Sequence, residues 1–324
     1  MNRISRVFGS ATVIVALSAC GGGGGGESSA TPAPTAAKYT QSDVQRISAL
    51  GVQATVLSGR SGVDAMNRLG AIVQLFSTDN GGSRVVDEPI CATGTATATV
   101  SKSAVRTGLI PGDQVTMSFT QCAINGSTHV LNGTAKLTAR TIVATPPGGD
   151  YAVDFEAVMT GFSIKVASGA VEQYDGVLDI KSSVIAGNAY TNGFTVPAGQ
   201  TFTNTIVGAS GPIALVYGSG ATFAATDVGS PRSASRKLDG SVSISLDSAG
   251  AVALAINTPT ALSGSTVTGG FVADSGVINT TSTGQTLETS TTFSGESAMV
   301  SGDSDGNGSL DLVFNTTWVA LTAR

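Results

Sequence analysis

Oxygen-bearing side chains recur at every second residue in one stretch near the C-terminus. The donors are Asp303, Asp305, Asn307, Ser309 and Asp311. Oxygen ligands at this spacing can wrap a hard cation such as Ca²⁺, and Gly308 would make the sharp turn that such a loop needs. Ser309 would bind through its carbonyl oxygen, Asp311 directly or through a water molecule, and the others through their side chains. The stretch is therefore a candidate calcium site.

The same stretch resembles the first nine positions of an EF-hand calcium loop, and that resemblance implies calcium as a cofactor. The chain departs from the pattern at Phe314, which stands where an EF-hand has its bidentate glutamate. The residues around the loop also alternate like strands instead of forming the flanking helices. Because Asp, Asn and Gly populate metal-free turns for backbone reasons alone, the sequence predicts either a weak calcium site or a polar hairpin turn.

Gly302, Ser304 and Gly306 match the G-x-S-x-G pattern of serine hydrolases in spacing only. That pattern needs a strand before the serine, a helix after it and a histidine to take the serine's proton. Here the following residues alternate like a strand, and the single histidine, His129, lies far upstream. Other acids in strand-like stretches cannot be paired from the sequence, and they are Asp154, Glu156, Asp175 and Asp179. We therefore predict a protein that is not an enzyme and has no catalytic residue.

Cys20 ends the tetrapeptide Leu17-Ser18-Ala19-Cys20, which follows two arginines and a short apolar run. That layout is typical of a secretion signal, and the run is too short for a membrane span of about 20 residues. The tetrapeptide resembles the lipobox of bacterial lipoproteins. The resemblance implies cleavage before Cys20, which would then carry a diacylglyceryl thioether and an acyl chain such as palmitate. Gly21 at the next position implies sorting to the outer membrane; an ordinary signal peptide is the alternative.

Cys91 and Cys122 are the other two cysteines of the chain. In an oxidising compartment two remaining cysteines are expected to pair. Free buried thiols or a metal pair are the alternatives, but the CxxC spacing and histidine cluster of a usual zinc site are missing. We predict a disulfide between Cys91 and Cys122.

The composition restricts the partners of this 324-residue chain. Cleavage before Cys20 would leave 15 basic and 22 acidic residues, a net charge of −7, and no basic cluster. Such a chain is a poor candidate for binding nucleic acid or anionic lipid headgroups. Only 12% of the residues are charged, which favours a packed protein over a disordered one.

The order of sequence patterns predicts four segments. They are a signal peptide at 1–19, a lipidated cysteine and flexible tether at 20–38, a helical segment at 39–80 and a β domain at 81–324. The helical segment has apolar residues at steps of three and four, an N-cap at Ser42 and Asp43, and breaks at Gly51 and 59–62. We expect this apolar face to cover the protein's own sheet; docking to a partner or to lipid is the alternative.

Short alternating runs separated by turn residues predict a mainly β, antiparallel domain. A meander, a sandwich or a curled partial barrel would each fit, with one or two N-terminal helices packed on the sheet. The Gly/Ser/Thr-rich stretch at 263–295 also suggests a β-solenoid, although no fixed repeat period is visible.

These observations predict a lipid-anchored protein of the cell envelope that faces the periplasm or the cell surface. Its expected role is non-enzymatic: binding, scaffolding or surface interaction with a protein, a glycan or an apolar ligand. One alternative is a periplasmic carrier that holds an apolar ligand in a half-barrel closed by a helix, which is an analogy of fold only. A second alternative is an adhesin-like surface protein.

Overall fold

The structure is a computed structural model. It describes residues 38–76, 80–87, 91–124, 128–144, 150–185, 189–208, 211–228, 232–246, 250–267 and 270–323. The predicted lipobox with Cys20, the signal peptide and all of the predicted tether except its last residue lie outside the described residues.

The helical segment is one rod interrupted by a wider turn. Helix α1 (Gln41–Leu57) continues through a π-helical turn (Ser58–Gly62) into helix α2 (Val63–Leu75). Thr40 caps α1: its hydroxyl accepts from the backbone N–H of Asp43, whose carboxylate accepts from the backbone N–H of Thr40. This capping box places the helix start slightly before the cap predicted at Ser42 and Asp43. The break predicted at 59–62 coincides with the π-helical turn. The break predicted at Gly51 is wrong: Gly51 lies inside α1, where its lack of a side chain lets the helix approach Thr280.

Strands make up most of the remaining described residues. They are β1 (Asn80–Gly81), β2 (Arg84–Asp87), β3 (Cys91–Ser101), β4 (Arg106–Thr107), β5 (Gln114–Ile124), β6 (Val130–Ala144), β7 (Tyr151–Lys165), β8 (Val171–Ile185), β9 (Ala189–Thr195), β10 (Phe202–Gly208), β11 (Gly211–Tyr217), β12 (Thr222–Val228), β13 (Arg232–Leu246), β14 (Ala251–Val267), β15 (Gly270–Ser282), β16 (Glu288–Ser294), β17 (Ser297–Gly302) and β18 (Leu312–Thr317). A short helix, α3 (Trp318–Thr322), follows the last strand.

Sixteen of these strands form one antiparallel sheet, while β1 and β4 pair with each other. The sheet runs β2-β3-β5-β6-β7-β8 on one side and β13-β14-β15-β16-β17-β18 on the other. Between them, β8 pairs with β10 along its first half and with β9 along its second half. Likewise, β13 pairs with β12 and then with β11. The two middle rows are therefore each built from two consecutive short strands.

Two glycines allow the chain to break these middle rows. Gly176 has a φ of 119° and faces Phe202, and a Cβ there would lie 2.4 Å from the carbonyl oxygen of Thr201. Gly240 has a φ of 116°, and its Cβ would lie 2.7 Å from Cα of Ala221. Side chains rarely adopt this backbone region and would not fit here, so glycine is required at both positions.

The helical rod covers one face of the sheet. Helix α1 packs on β13, β15, β16 and β17, and α2 packs on β6, β7, β8 and β9. Strand β7 shows the resulting alternation, since Phe155 and Ala157 are fully buried while the residues between and around them are partly exposed. Burying one face of an antiparallel sheet in this way accounts for its period-two pattern. The fold is therefore mainly β and antiparallel, with the N-terminal helices on a large sheet, as the sequence predicts.

Aromatic side chains form a continuous band on the buried face below the π-helical turn. Neighbouring ring centroids are 5.2 to 6.4 Å apart. The members are Phe119, Phe162, Tyr174, Phe194, Phe202, Tyr217 and Phe223. Such contacts add to the stability that comes from burying the rings, so the band supports the sheet where the middle rows are broken.

The predicted disulfide is present. Cys91 begins β3 and Cys122 lies near the end of β5, and their Cα atoms are 5.1 Å apart. The bond joins two adjacent strands near one end of the sheet and closes a loop with a sequence separation of 31 residues.

Candidate functional site

The π-helical turn is fixed to the sheet by hydrogen bonds from two buried serines. The Ser58 hydroxyl lies 2.6 Å from the carbonyl oxygen of Ala54, to which it donates, and 2.7 Å from the hydroxyl of Tyr217. The Ser61 hydroxyl donates to the carbonyl of Leu57 and accepts from the side-chain amide of Asn204. Serines that bond back to the preceding turn loosen a regular helix, and π-helical turns are frequent at functional sites.

Tyr174 connects this turn to a buried acid. Its hydroxyl oxygen is 2.9 Å from the Ser61 carbonyl oxygen and 2.8 Å from Oε2 of Glu172. Tyr174 and Glu172 both lie on the inward face of β8, and Glu172 is only 3% exposed. Burial raises the pKa of Glu172, Asp64 raises it further, and the hydrogen bond from Tyr174 and the charge of Arg60 oppose the shift.

The proton count at Tyr174 favours a neutral Glu172. A phenol has one proton, and the Ser61 carbonyl can only accept. If Glu172 is ionised, two acceptors compete for that proton. If Glu172 is protonated, it donates to Tyr174, Tyr174 donates to Ser61, and both short contacts are satisfied. The buried acid is therefore suited to holding a proton.

Arg236 and Asp227 form a buried ion pair on the other side of the turn. Their Nη2 and Oδ1 atoms are 2.9 Å apart, and both residues are at most 5% exposed. Arg236 also donates to the carbonyls of Ser235 and Thr226 and lies over the ring of Phe271. Because its guanidinium is held by a carboxylate, two carbonyls and an aromatic face, this buried charge is compensated within the protein.

His129 contacts the start of helix α2. Arg68 donates to its Nδ1 from 3.0 Å, because a guanidinium has no acceptor. The proton of a neutral His129 ring is therefore on Nε2, which lies 3.7 Å from the Asp64 carboxylate. Asp64 is also 3.8 Å from Arg68. Local spacing could not indicate this cluster, because His129 lies just before β6, far along the chain from Asp64 and Arg68 on α2.

Five of these groups, those of Asp64, His129, Glu172, Asp227 and Arg236, line a cavity of about 910 Å³, which we call the helix groove. It is bounded by one face of the helical rod, by residues near the ends of β6, β7 and β8, by β12 to β15, and by α3. Its charged or titratable members are Arg60, Asp64, His129, Glu172, Asp227 and Arg236. Its apolar members are Val56, Leu57, Val63, Val166, Phe271, Val272, Trp318 and Val319. The groove thus combines apolar walls with fixed polar groups, the usual character of a small-molecule site.

A second depression, of about 850 Å³, includes charged side chains of the sheet face opposite the helices. It contains Asp154 and Asp179, two of the acids that the sequence could not pair. Arg140 lies 2.6 Å from Asp179 and 3.4 Å from Glu156, and Lys237 lies 3.2 Å from Asp239. Asp175, the fourth of those acids, accepts from the backbone N–H of Gly161. Asp179, Glu156 and Asp239 are thus paired with basic side chains of the same or nearby strands, so the helix groove is the better candidate site.

The acidic loop near the C-terminus is organised by its own backbone. The fully buried Asp303 accepts from the backbone N–H groups of Asp305, Gly306, Asn307 and Gly308. Burial alone would raise the pKa of Asp303, but these four donors lower it overall. The Asp303 carboxylate is thus fully used in holding the turn.

The other predicted calcium ligands also take part in local hydrogen bonds. Asp305 accepts from the N–H of Asn307, Asn307 accepts from the N–H of Ser309, and Asp311 accepts from Ser304. In the part of the chain that the structure describes, no three His, Cys, Asp or Glu side chains are grouped as they would be around a metal ion. These hydrogen bonds are sufficient to account for the conformation of the loop as a polar turn without a metal ion, and the calcium site stays a prediction.

The same loop holds the start of the helical segment. The backbone N–H groups of Lys38 and Tyr39 donate to the carbonyl of Ser304 at 2.7 and 2.8 Å. The Tyr39 hydroxyl also accepts from the backbone N–H of Thr286. The predicted tether therefore joins the described body beside the acidic loop.

Comparison with known proteins identifies no relative. No protein-family model matches the sequence, and neither the curated proteins nor the solved structures contain a match. Among the helices of the described segments, none has the length and apolar character needed to cross a membrane.

Proposed function

We propose that this protein is a lipid-anchored binding protein of the bacterial cell envelope that takes an amphipathic small molecule in the helix groove. Cys20 would carry the lipid, and the glycine-rich tether would keep the folded body near the outer membrane. The observation that supports a binding role most directly is the groove itself. It offers about 910 Å³ of space, apolar walls and a buried acid.

The packing favours this open groove over a carrier with its ligand enclosed between helix and sheet. The space on the buried face is filled by side chains of both layers, among them Ile47, Leu69 and Phe155, which are fully buried. A ligand there would have to displace the helical rod. A ligand in the groove contacts the rod from the side and leaves the core intact.

A non-enzymatic role agrees with the chemistry of the groove and of the π-helical turn beside it. The hydroxyls of Ser58 and Ser61 are engaged with helix carbonyls, and Arg236 is neutralised by Asp227. None of these groups is arranged as a nucleophile beside a base. We propose binding, not turnover, as the activity of this site.

Fluorescence titration with 1-N-phenylnaphthylamine tests the groove. The full-length Cys20→Ser chain, which cannot be lipidated at that residue, should bind the probe and enhance its fluorescence. Val319→Trp should weaken binding several-fold, because Val319 lines the groove and is 73% exposed. Val313→Trp is the matched control, since Val313 is also exposed but lies outside the groove. Equal affinities in the two tryptophan variants would contradict the proposal.

Metabolic labelling with palmitate tests the anchor separately. Wild-type protein should incorporate label and fractionate with membranes, and Cys20→Ser should do neither. Absence of label in the wild type would disprove lipidation without bearing on the groove.

A further inference from the structure

We propose that the ligand of the helix groove carries an ammonium group that pairs with Glu172 and replaces the proton held there. This inference rests on the proposed binding function and specifies its ligand class as an amphipathic amine. It follows from a difference between two buried groups of the groove: Arg236 is paired with a carboxylate, whereas in the described part of the chain Glu172 is not paired with a cation.

The buried cation of the groove has its counter-charge, and the buried acid does not. Arg236 is held by Asp227 and two backbone carbonyls. Glu172 is 3% exposed, and its Oε2 contacts the hydroxyl of Tyr174, a neutral group. An anionic ligand would have to compete with Asp227 for Arg236, whereas a cationic ligand would supply the charge that Glu172 lacks.

The surroundings of Glu172 add one charge of each sign. From the helical rod, Asp64 and Arg60 act on it, and both line the groove. Arg60 is exposed, so solvent screens its charge. On the flanking strands, the residues in register with Glu172 are Ile164 and Ile206, which do not titrate.

The other carboxylates and the guanidinium groups of the groove are equal in number. Apart from Glu172, the lining contains two acids, Asp64 and Asp227, and two arginines, Arg60 and Arg236, together with His129. An ionised Glu172 is therefore the carboxylate without a counterpart. The apolar residues of the rod and of α3 line the remainder, and they would contact the hydrocarbon part of an amphiphile. The site therefore suits a ligand that has one cationic end and an apolar body.

Binding is a proton exchange. The protonated Glu172 carboxyl releases its proton to solvent, and the resulting carboxylate pairs with the ammonium group. With Glu172 ionised, the charged ligand takes over the oxygens that had shared a proton with Tyr174, and Tyr174 still donates to the Ser61 carbonyl. Affinity for an amine should therefore rise with pH until Glu172 is ionised in the free protein.

Displacement of 1-N-phenylnaphthylamine by compounds with the same alkyl chain tests this inference. Octylammonium, octanol and octanoate would compete for the full-length Cys20→Ser chain at pH 7.5. Octylammonium should bind most tightly, and Glu172→Gln should weaken it by about tenfold or more, the usual effect of losing a charged hydrogen bond. Octanol binding should not change. Glutamine keeps a donor for Tyr174, so the variant retains the neutral arrangement.

Glu156→Gln is the matched control, because it removes one carboxylate from the opposite sheet face and should leave all three affinities unchanged. Proton release gives a second measurement that needs no variant. Calorimetry of octylammonium binding at pH 6 in phosphate and in Bis-Tris should give different heats, because the two buffers take up the released proton with different enthalpies. Tighter binding of octanoate or octanol would overturn the amine assignment, and equal heats in the two buffers would overturn the exchange of the Glu172 proton for the ammonium group. A failure of every alkyl compound to displace the probe would instead overturn the proposed binding function.

Discussion

A single buried carboxylate, that of Asp303, holds the turn that follows β17. It accepts four backbone N–H groups, so Asp303→Ala should lower the free energy of unfolding by about 2 kcal/mol at pH 7. Because the folded-state pKa lies below the ordinary value of 3.8, this stabilisation is complete above that value. It should be lost as the pH falls through the folded-state pKa. Urea unfolding of wild type and variant at pH 7 and pH 3 measures both effects.

Asp305→Ala serves as the control for Asp303→Ala, because Asp305 accepts a single backbone N–H, from Asn307. Its cost should be smaller and less dependent on pH; equal costs for the two variants would contradict the capping role of Asp303. The same proteins test the predicted calcium site by calorimetry. Heat with millimolar calcium that disappears in both variants would establish the ion, and its absence from the wild type would remove it.

The sequence could identify the acidic loop but not the groove. The spacing from Asp303 to Asp311 is local, so it is visible without a structure. Glu172 and Tyr174 looked like ordinary residues of an alternating strand. Their importance arises because β8 turns both side chains inward and because the helical rod places Ser61 above them. Neither the strand register nor the position of the rod can be read from local spacing.

The helical rod was predictable in its apolar face and in its interruption, but not in the form of that interruption. Glycines at 59 and 62 suggested a break between two helices. The structure instead continues the rod through a π-helical turn, in which Ser58 and Ser61 bond to preceding carbonyls and to the sheet. Tertiary contacts to Tyr217 and Asn204 decide this outcome, and the sequence of the segment alone does not contain them.

The two glycines of the π-helical turn should respond differently to alanine. A Cβ on Gly59 would lie 2.7 Å from Nε of Arg236, whereas a Cβ on Gly62 would find its nearest neighbour at 3.7 Å, in Phe194. Gly59→Ala should destabilise by about 1–3 kcal/mol, because Arg236 is held in place by Asp227. Gly62→Ala should be neutral or stabilising by up to about 1 kcal/mol. Urea unfolding of both variants measures the difference, and equal stabilities would show that Arg236 moves freely.

The arrangement of the sheet shows which features of the fold can be predicted from alternating apolar and polar residues and which cannot. Period-two runs and turn residues predicted an antiparallel β domain covered by helices, and that is the fold. They did not predict that β8 and β13 each pair with two short strands. This double pairing depends on the close approach of Gly176 to the Thr201 backbone and of Gly240 to Ala221. These residues are distant in sequence and meet only in the assembled sheet. Sixteen of the described strands pair antiparallel in one sheet, so they do not form the β-solenoid that was the alternative.

The disulfide should contribute to the stability of the assembled sheet as one cooperative unit. Cys91 and Cys122 join β3 to β5 near one end of the sheet. With a sequence separation of 31 residues, the bond should stabilise the folded state by about 3–4 kcal/mol, chiefly by restricting the unfolded chain. Replacing both cysteines by alanine should lower the free energy of unfolding by at least that amount and leave the far-ultraviolet circular dichroism unchanged.

Chemical reduction of the wild type separates this effect from the loss of side-chain packing in the double variant. Cys122 is fully buried, so its replacement by alanine also removes a buried sulfur, whereas reduction leaves both side chains in place. Reduced wild type should therefore be slightly more stable than the double variant and clearly less stable than the oxidised protein. If reduction instead melted only the β3–β5 end while the remaining strands unfolded later, the sheet would be two cooperative units. The continuous strand pairing from β2 to β18 argues for a single transition.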